Sequence, residues 1–395
     1  MKRKILPTLI LALCILTACG PASIQTTDPG GPPDDQYHVT SCVPIFESAP
    51  PDIKPKGTIV FLNYKSAAHF FLMNLETARQ TPLDTLGQPA ADITISPDRK
   101  NIAYKINDPV TNTFNLIISD AQANITKNIP WDKGFFVVKE WINNEEILLS
   151  SSPPIIVFNP NTNQQKGYEI SDFPDYSDDP ISGNRFILFD KTMETALYKN
   201  TNGKIALLDM DNKNVLGEVE NVYAPYATAA WSPDGSQVAV VGSILLGEQR
   251  ADVGYDIFTI SRDGQVKQLT HLTDHYGKLL IISPAGGLKW SPDGKKIAFW
   301  LANPKNPEFN WQLAVYDTET QKTTNYCIPS SLSSNLTMFQ QLAPPLWSPD
   351  STQIMVENRY DTENNRVVIL DIAKNAAFEV IDNMYPLGWV VPDAP

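Results

Sequence analysis

The sequence predicts an all-β chain, a seven-bladed β-propeller of four-stranded blades whose ring is closed by pairing of its N- and C-terminal strands. Three observations carry this. Apolar runs of four to seven residues alternate with turn residues, and no helical period is sustained. A Ser-Pro-Asp tetrad led by Trp or Ile, together with its degenerate copies, recurs at intervals of roughly 40–60 residues, the length of four short strands. The chain also has strands at both ends that lack partners of their own.

The tetrads are Ile95-Ser96-Pro97-Asp98, Trp231-Ser232-Pro233-Asp234, Trp290-Ser291-Pro292-Asp293 and Trp347-Ser348-Pro349-Asp350. Proline presets φ for a turn, and Ser and Asp side chains bond nearby backbone N–H groups. Glycine follows in two copies, taking the left-handed position. Arg99 and Ser351 stand there in the other two, at a cost of ~1 kcal/mol each if that geometry is kept. A strand follows each tetrad, beginning at Asn101, Gln237, Lys296 and Gln353. Degenerate copies are read at Trp141-Ile-Asn-Asn144 and at Ile181-Ser-Gly-Asn184, the latter leading into a second strand over 185–188. Trp389 stands near the end. The repeat tryptophans Trp141, Trp231, Trp290, Trp347 and Trp389 read as plugs between neighbouring sheets.

Third strands follow at 114–118, 155–158, 204–208, 256–260, 312–316 and 367–370, each with a weaker fourth strand that suits an outer edge. Residues 57–61 and 69–73 look like second and third strands without a first. Residues 386–391 look like a first strand without a second. Pairing them completes one blade and closes the ring, which gives seven.

These repeats resemble those of TolB-type propellers over about residues 57–391. The resemblance implies the fold. TolB-type proteins of the periplasm carry an α/β domain before six blades and no lipid, so the resemblance carries over no partner.

The N-terminus reads as a bacterial lipoprotein signal. Lys2, Arg3 and Lys4 precede an apolar run, Ile5–Thr17, that is too short to span a bilayer. Leu16-Thr17-Ala18-Cys19-Gly20 then resembles a lipobox, with Cys19 the lipidated residue. Residues 1–18 are therefore expected to be a signal peptide, 19–56 a lipidated Pro/Gly-rich tether, and 57–395 the propeller. The expected location is extracytoplasmic and lipid-anchored. Gly20 rather than Asp after the cysteine points to the outer membrane if the host has one, and otherwise the anchor is at the cell surface.

Loss of Lys2, Arg3 and Lys4 from the 31 basic residues leaves 28 against 44 acidic ones, a net charge of −16. So acidic a chain has no electrostatic footprint for nucleic acid. It is also repelled by anionic head groups, which leaves the lipid to hold the membrane. With Cys14 and Cys19 assigned to the signal and the lipid, Cys42 and Cys327 remain. Either a disulfide or two separate thiols satisfies the sequence.

In a four-stranded blade the second-to-third and fourth-to-first connections share one face of the ring. The long segments 243–254, 271–287, 302–310 and 328–345 all belong to that face, over blades five to seven. They carry the candidate ligand contacts Arg250, Asp274, His275, Tyr276, Phe309 and Phe339, with Trp311 directly after the third segment. Aromatics there suit a peptide or glycan, or they plug the loops onto the blades.

The acidic run Asp172, Asp175, Asp178 and Asp179 reads as a solvated turn, and Asp209–Asn214 as hairpin chemistry. His271 and His275 are read as lacking both the intervening Glu and the helix of a metalloprotease. No metal site, cofactor or catalytic residue is assigned. No Gly-x-Ser-x-Gly elbow and no phosphate-binding glycine loop occur in the sequence. The expected role is a non-catalytic binding module for an envelope protein, peptide or glycan. The alternatives are a lyase or glycosidase acting on polysaccharide with a site at the ring centre, and a structural envelope scaffold.

Overall fold

The computed structural model describes residues 36–391 apart from 64–68, 109, 112, 133, 151–154, 177–186, 221–227, 246–252, 277–286, 303–310, 331–343 and 360–364. Two short strands come first, β1 (His38–Thr40) and β2 (Ile45–Phe46). Blade 1 follows with β3 (Thr58–Asn63), β4 (His69–Asn74) and β5 (Gln80–Pro82). Blade 2 is β6 (Ala90–Ile95), β7 (Asn101–Asp108), β8 (Thr113–Asp120) and β9 (Ile125–Trp131). Blade 3 is β10 (Val137–Trp141), β11 (Ile147–Ser150), β12 (Ile155–Asn159) and β13 (Gln164–Tyr168). Blade 4 is β14 (Ile187–Phe189), β15 (Thr195–Lys199), β16 (Lys204–Asp209) and β17 (Val215–Glu220). Blade 5 is β18 (Ala229–Trp231), β19 (Gln237–Leu245), β20 (Val253–Ser261) and β21 (Val266–Gln268), and is followed by helix α1 (Leu272–Tyr276). Blade 6 is β22 (Lys289–Trp290), β23 (Lys296–Ala302), β24 (Trp311–Asp317) and β25 (Lys322–Ser330). Blade 7 is β26 (Leu346–Trp347), β27 (Gln353–Arg359), β28 (Asn365–Asp371) and β29 (Ala376–Asp382). The last strand, β30 (Met384–Val390), pairs antiparallel with β3 and completes blade 1.

Each blade is an antiparallel meander in chain order. The core is divided among seven apolar clusters, one at each contact between successive blades. The middle strands explain this. They are apolar on both faces, as in β24, where Trp311 to Tyr316 are all buried, because each blade is covered by a neighbour on either side.

The tetrads do the turn chemistry their residues suggest. The serine hydroxyl donates to the aspartate two residues on, at 2.5–2.7 Å in all four copies. The same oxygen accepts the backbone N–H five residues on, which opens the next strand. The fifth position is left-handed throughout, φ +73° at Gly235, +72° at Gly294, +63° at Arg99 and +62° at Ser351. Two of the tryptophans link blades as well as filling space. Trp290 Nε1 donates to the Ala230 carbonyl at 3.0 Å, and Trp347 Nε1 to the Lys289 carbonyl at 2.9 Å. Each acceptor is the residue just before the tryptophan of the preceding blade.

Two expectations are corrected. The blade 4 anchor is Phe189-Asp190, not Ile181-Ser-Gly-Asn184, so residues 187–189 form the inner strand and β15 the second. Asp190 replaces both polar groups of the tetrad: its Oδ1 accepts Thr195 N–H at 3.0 Å, five residues on, and its Oδ2 accepts the Thr192 hydroxyl.

The tether expected over 19–56 also ends early. From Tyr37 the chain forms a strap along the outside of the ring. β1 adds in parallel to the outer strand of blade 6, with His38 opposite Thr323 and Thr40 opposite Asn325. β2 adds in parallel to the outer strand of blade 7. Val43 and Ile45 pack on the blade 6–7 cluster, and Ile53 is buried in the blade 7–1 cluster. These apolar residues, spaced among the prolines, give the segment a surface to bury.

Candidate functional site

Alternation along the blades puts the tetrad turns on one face and the second-to-third and fourth-to-first connections on the other. The best-formed feature on the latter side is the connection from blade 5 to blade 6. Asp256, fully buried in β20, organises it. Its Oδ1 accepts Leu272 N–H at 2.6 Å and the Thr270 hydroxyl at 2.7 Å, and its Oδ2 accepts Thr273 N–H at 3.3 Å. Burial holds this carboxyl above its ordinary range, with the hydrogen bonds opposing. Leu272 is buried in the blade 5–6 cluster. Thr273 lies so close to β20 that a Cβ on Gly254 would meet its Oγ1 at 2.4 Å, so glycine is required there.

Pinned in this way, α1 presents Asp274 to solvent, with His275 and Tyr276 half-buried. The strap completes the surface. The His38 ring, itself buried, stacks on His275 with centroids 4.4 Å apart and meets Tyr276 edge-on at 5.8 Å. His38 Nε2 lies 3.0 Å from the His271 carbonyl, which can only accept, so Nε2 carries the proton. The Tyr37 ring is 4.3 Å from that of His271, whose Nδ1 lies 3.2 Å from Asp274 Oδ2. Three of the chain's four histidines thus gather where blades 5 and 6 meet the strap. No group of three His, Cys, Asp or Glu side chains among the described residues has the arrangement of a metal site.

The structure brings Asp274, His275 and Tyr276 together. Tyr276 also packs on the blade 5–6 cluster, so part of its ring plugs the connection. Trp311 is corrected: it is buried in the blade 6–7 cluster and offers no ring to a ligand. Arg250, Phe309 and Phe339 lie outside the described residues, as do Cys19, Asp178 and Asp179. Asp172 pairs with Lys213 at 3.4 Å and accepts Glu169 N–H, the chemistry of a turn. Cys42 and Cys327 form a disulfide, with Cα atoms 4.8 Å apart.

Sequence reasoning missed Tyr37, His38 and Asp256. Tyr37 and His38 sit in a segment whose prolines mask its strands. The signal for Asp256 was present: a carboxylate opens the mainly apolar run 256–260, and a charge in a middle strand must find buried donors.

No family model matches the chain, and a search of curated proteins returns no match. Solved structures do resemble it. TolB from Acinetobacter baumannii is 16% identical, covers 90% of this chain and 94% of its own, and has a TM-score of 0.45. An oligogalacturonate lyase in complex with manganese is 16% identical, with coverage of 76% and 82% and a TM-score of 0.51. A functionally unknown protein from Desulfotomaculum acetoxidans is 12% identical, with coverage of 86% and 100% and a TM-score of 0.50. At these identities the likeness to the lyase and to the Desulfotomaculum protein speaks to the fold alone, and it agrees with the sheets: the chain is a β-propeller, here with seven blades.

Proposed function

We propose that this protein is a lipid-anchored, extracytoplasmic propeller that binds an envelope protein, peptide or glycan without catalysing a reaction. The observation that carries the binding reading is the platform on α1. A buried carboxylate and a required glycine fix its backbone, and it offers Asp274 beside the half-buried rings of His275 and Tyr276. Such a surface is rigid before a partner arrives, and its rings give contact area at small entropic cost. The lipobox at Cys19 supports the anchor, and the Cys42–Cys327 disulfide supports an oxidising compartment.

Photo-crosslinking in the native envelope tests the reading. One full-length variant carries the cross-linker at position 274. A second carries it at position 211, in the exposed turn between β16 and β17 on the opposite face. A partner captured from 274 and not from 211 supports the platform. Capture from both or from neither overturns it, and turnover of envelope glycans by the purified chain would replace binding with catalysis. For the anchor, Cys19→Ser should move the protein from the membrane to the soluble fraction. Retention in the membrane would remove the lipid from the account.

A further inference from the structure

The ring is closed twice, and the two closures differ in chemistry. The first is the pairing of β3 with β30 in blade 1, made of backbone hydrogen bonds and the Val60, Val390 and Trp389 packing. The second is the strap. It leaves blade 1 at Gly57, crosses the blade 7–1 cluster with Ile53, lies on β29 through β2, and reaches β25 through β1. Trp389 Nε1 in β30 donates to the strap's Lys56 carbonyl at 3.3 Å. Ala377 N–H donates to the Pro44 carbonyl at 3.1 Å, and Ser41 N–H to the Asn325 carbonyl at 2.9 Å. The disulfide joins the strap to blade 6, 285 residues further along the chain. The covalent loop from Cys42 to Cys327 therefore runs through blades 1 to 6 and passes outside the seam where β3 meets β30.

We propose that the strap is a redox-set lock on the propeller ring. Without the disulfide, β1 is held by a three-residue register and β2 by a two-residue one. The other described strap contacts are single backbone hydrogen bonds, the ring contacts of Tyr37 and His38, the Ser41 hydroxyl on Asn375, the packing of Val43, Ile45 and Ile53, and an exposed pair between Asp52 and Lys374 at 3.1 Å. Strands that short depend on this packing and on the covalent link to stay paired. The bond is accessible. Cys42 is exposed and Cys327 half-exposed. Cys327 sits at φ +55° within the irregular stretch of β25, where the register against β24 shifts and its N–H turns to Asn325 Oδ1.

A small dithiol is the co-reactant. One of its thiolates attacks a sulfur of the Cys42–Cys327 bond and forms a mixed disulfide, releasing the other cysteine as thiolate. The second thiol of the reagent then displaces the remaining cysteine. Two electrons and two protons pass to the protein, which ends with two thiols, and the reagent ends as its disulfide. The strap leaves the outer edges of blades 6 and 7, and the seam is closed by β3 and β30 alone.

Hydrogen exchange read by mass spectrometry tests this on the full-length oxidised protein before and after dithiothreitol. Complete reduction is verified by alkylation of both thiols. Peptides covering 36–56, β29 and the β3–β30 pair should exchange at least tenfold faster after reduction, while β15 and β16 in blade 4 keep their rate. Unchanged protection of 36–56 in the fully reduced protein overturns the lock. So does acceleration of blade 4 in step with the strap, which would make the disulfide a general stabiliser. The Cys42→Ser/Cys327→Ser variant should show the reduced pattern with and without dithiothreitol. A variant that keeps the oxidised pattern also overturns the proposal.

Discussion

Single side chains carry opposing demands, and Arg99 and Asp256 show this most clearly. Arg99 holds a left-handed position that glycine fills in the blade 5 and blade 6 turns. Burial lowers its guanidinium to about 10, against the pull of Asp350, and its Nη1 has no hydrogen-bond partner among the described residues. Arg99→Gly should therefore stabilise the protein by about 0.5–1 kcal/mol, after allowing for the freer unfolded chain. Urea unfolding reads this as a higher midpoint at constant slope. Asp256 is buried as a carboxyl whose folded pKa exceeds its ordinary value of 3.8. The folded state thus binds the proton more tightly than the unfolded state does. The stability this contributes is complete below 3.8 and is lost as pH rises through the folded value. Asp256→Asn can keep the Oδ1 bonds to Leu272 and Thr270 without the charge. Across that window the wild type should lose stability relative to this variant as pH rises, and a constant difference would contradict the assignment. Asp256→Ala leaves buried donors unmet and should cost about 2–3 kcal/mol.

Between elements, the contacts that join blades are as specific as those within them. Arg262, in the turn between β20 and β21 of blade 5, reaches across to blade 4. Its Nη2 pairs with the fully buried Asp190, its Nη1 with Glu194 at 3.0 Å, and its Nε donates to the Gly235 carbonyl at 2.7 Å. Arg262→Ala strands the Asp190 charge. The loss should be about 2–3 kcal/mol, the lower end for a buried pair because a third of the arginine is exposed. Asp190→Asn in the same chain should recover part of it, read as coupling in a double-mutant unfolding cycle. The same residue explains where the sequence was legible and where it was not. Blades 2, 5, 6 and 7 announce themselves because Ser, Pro and Asp each leave a mark at a fixed spacing. Blade 4 uses one aspartate for two of those tasks, so the pattern vanishes while the geometry stays. The strap was illegible for another reason. Its strands are two and three residues long and lie among prolines, too short to show alternation.

For the whole molecule, closure by the two chain ends could be read from strands left without partners, because a missing first strand and a missing second strand fit together. The platform could be read only as a set of candidate residues on one face. Asp274, His275 and Tyr276 were found because they lie on a long connection. Trp311 was misread because the residue just after a long segment already belongs to a buried strand. Tyr37 and His38 are distant from α1 in sequence, and only the fold brings them to it. The route of the strap also settles how the domain bears tension. A pull applied to the N-terminus from the direction of residue 36 reaches Cys42 before it reaches β3. The force then passes through sulfur into β25, the outer strand of blade 6, and the hydrogen bonds of the β3–β30 seam are not loaded one after another from their end. An oxidised propeller should withstand pulling in an optical trap to forces that a reduced one cannot, and blade 1 should be the first to peel once the sulfur link is gone.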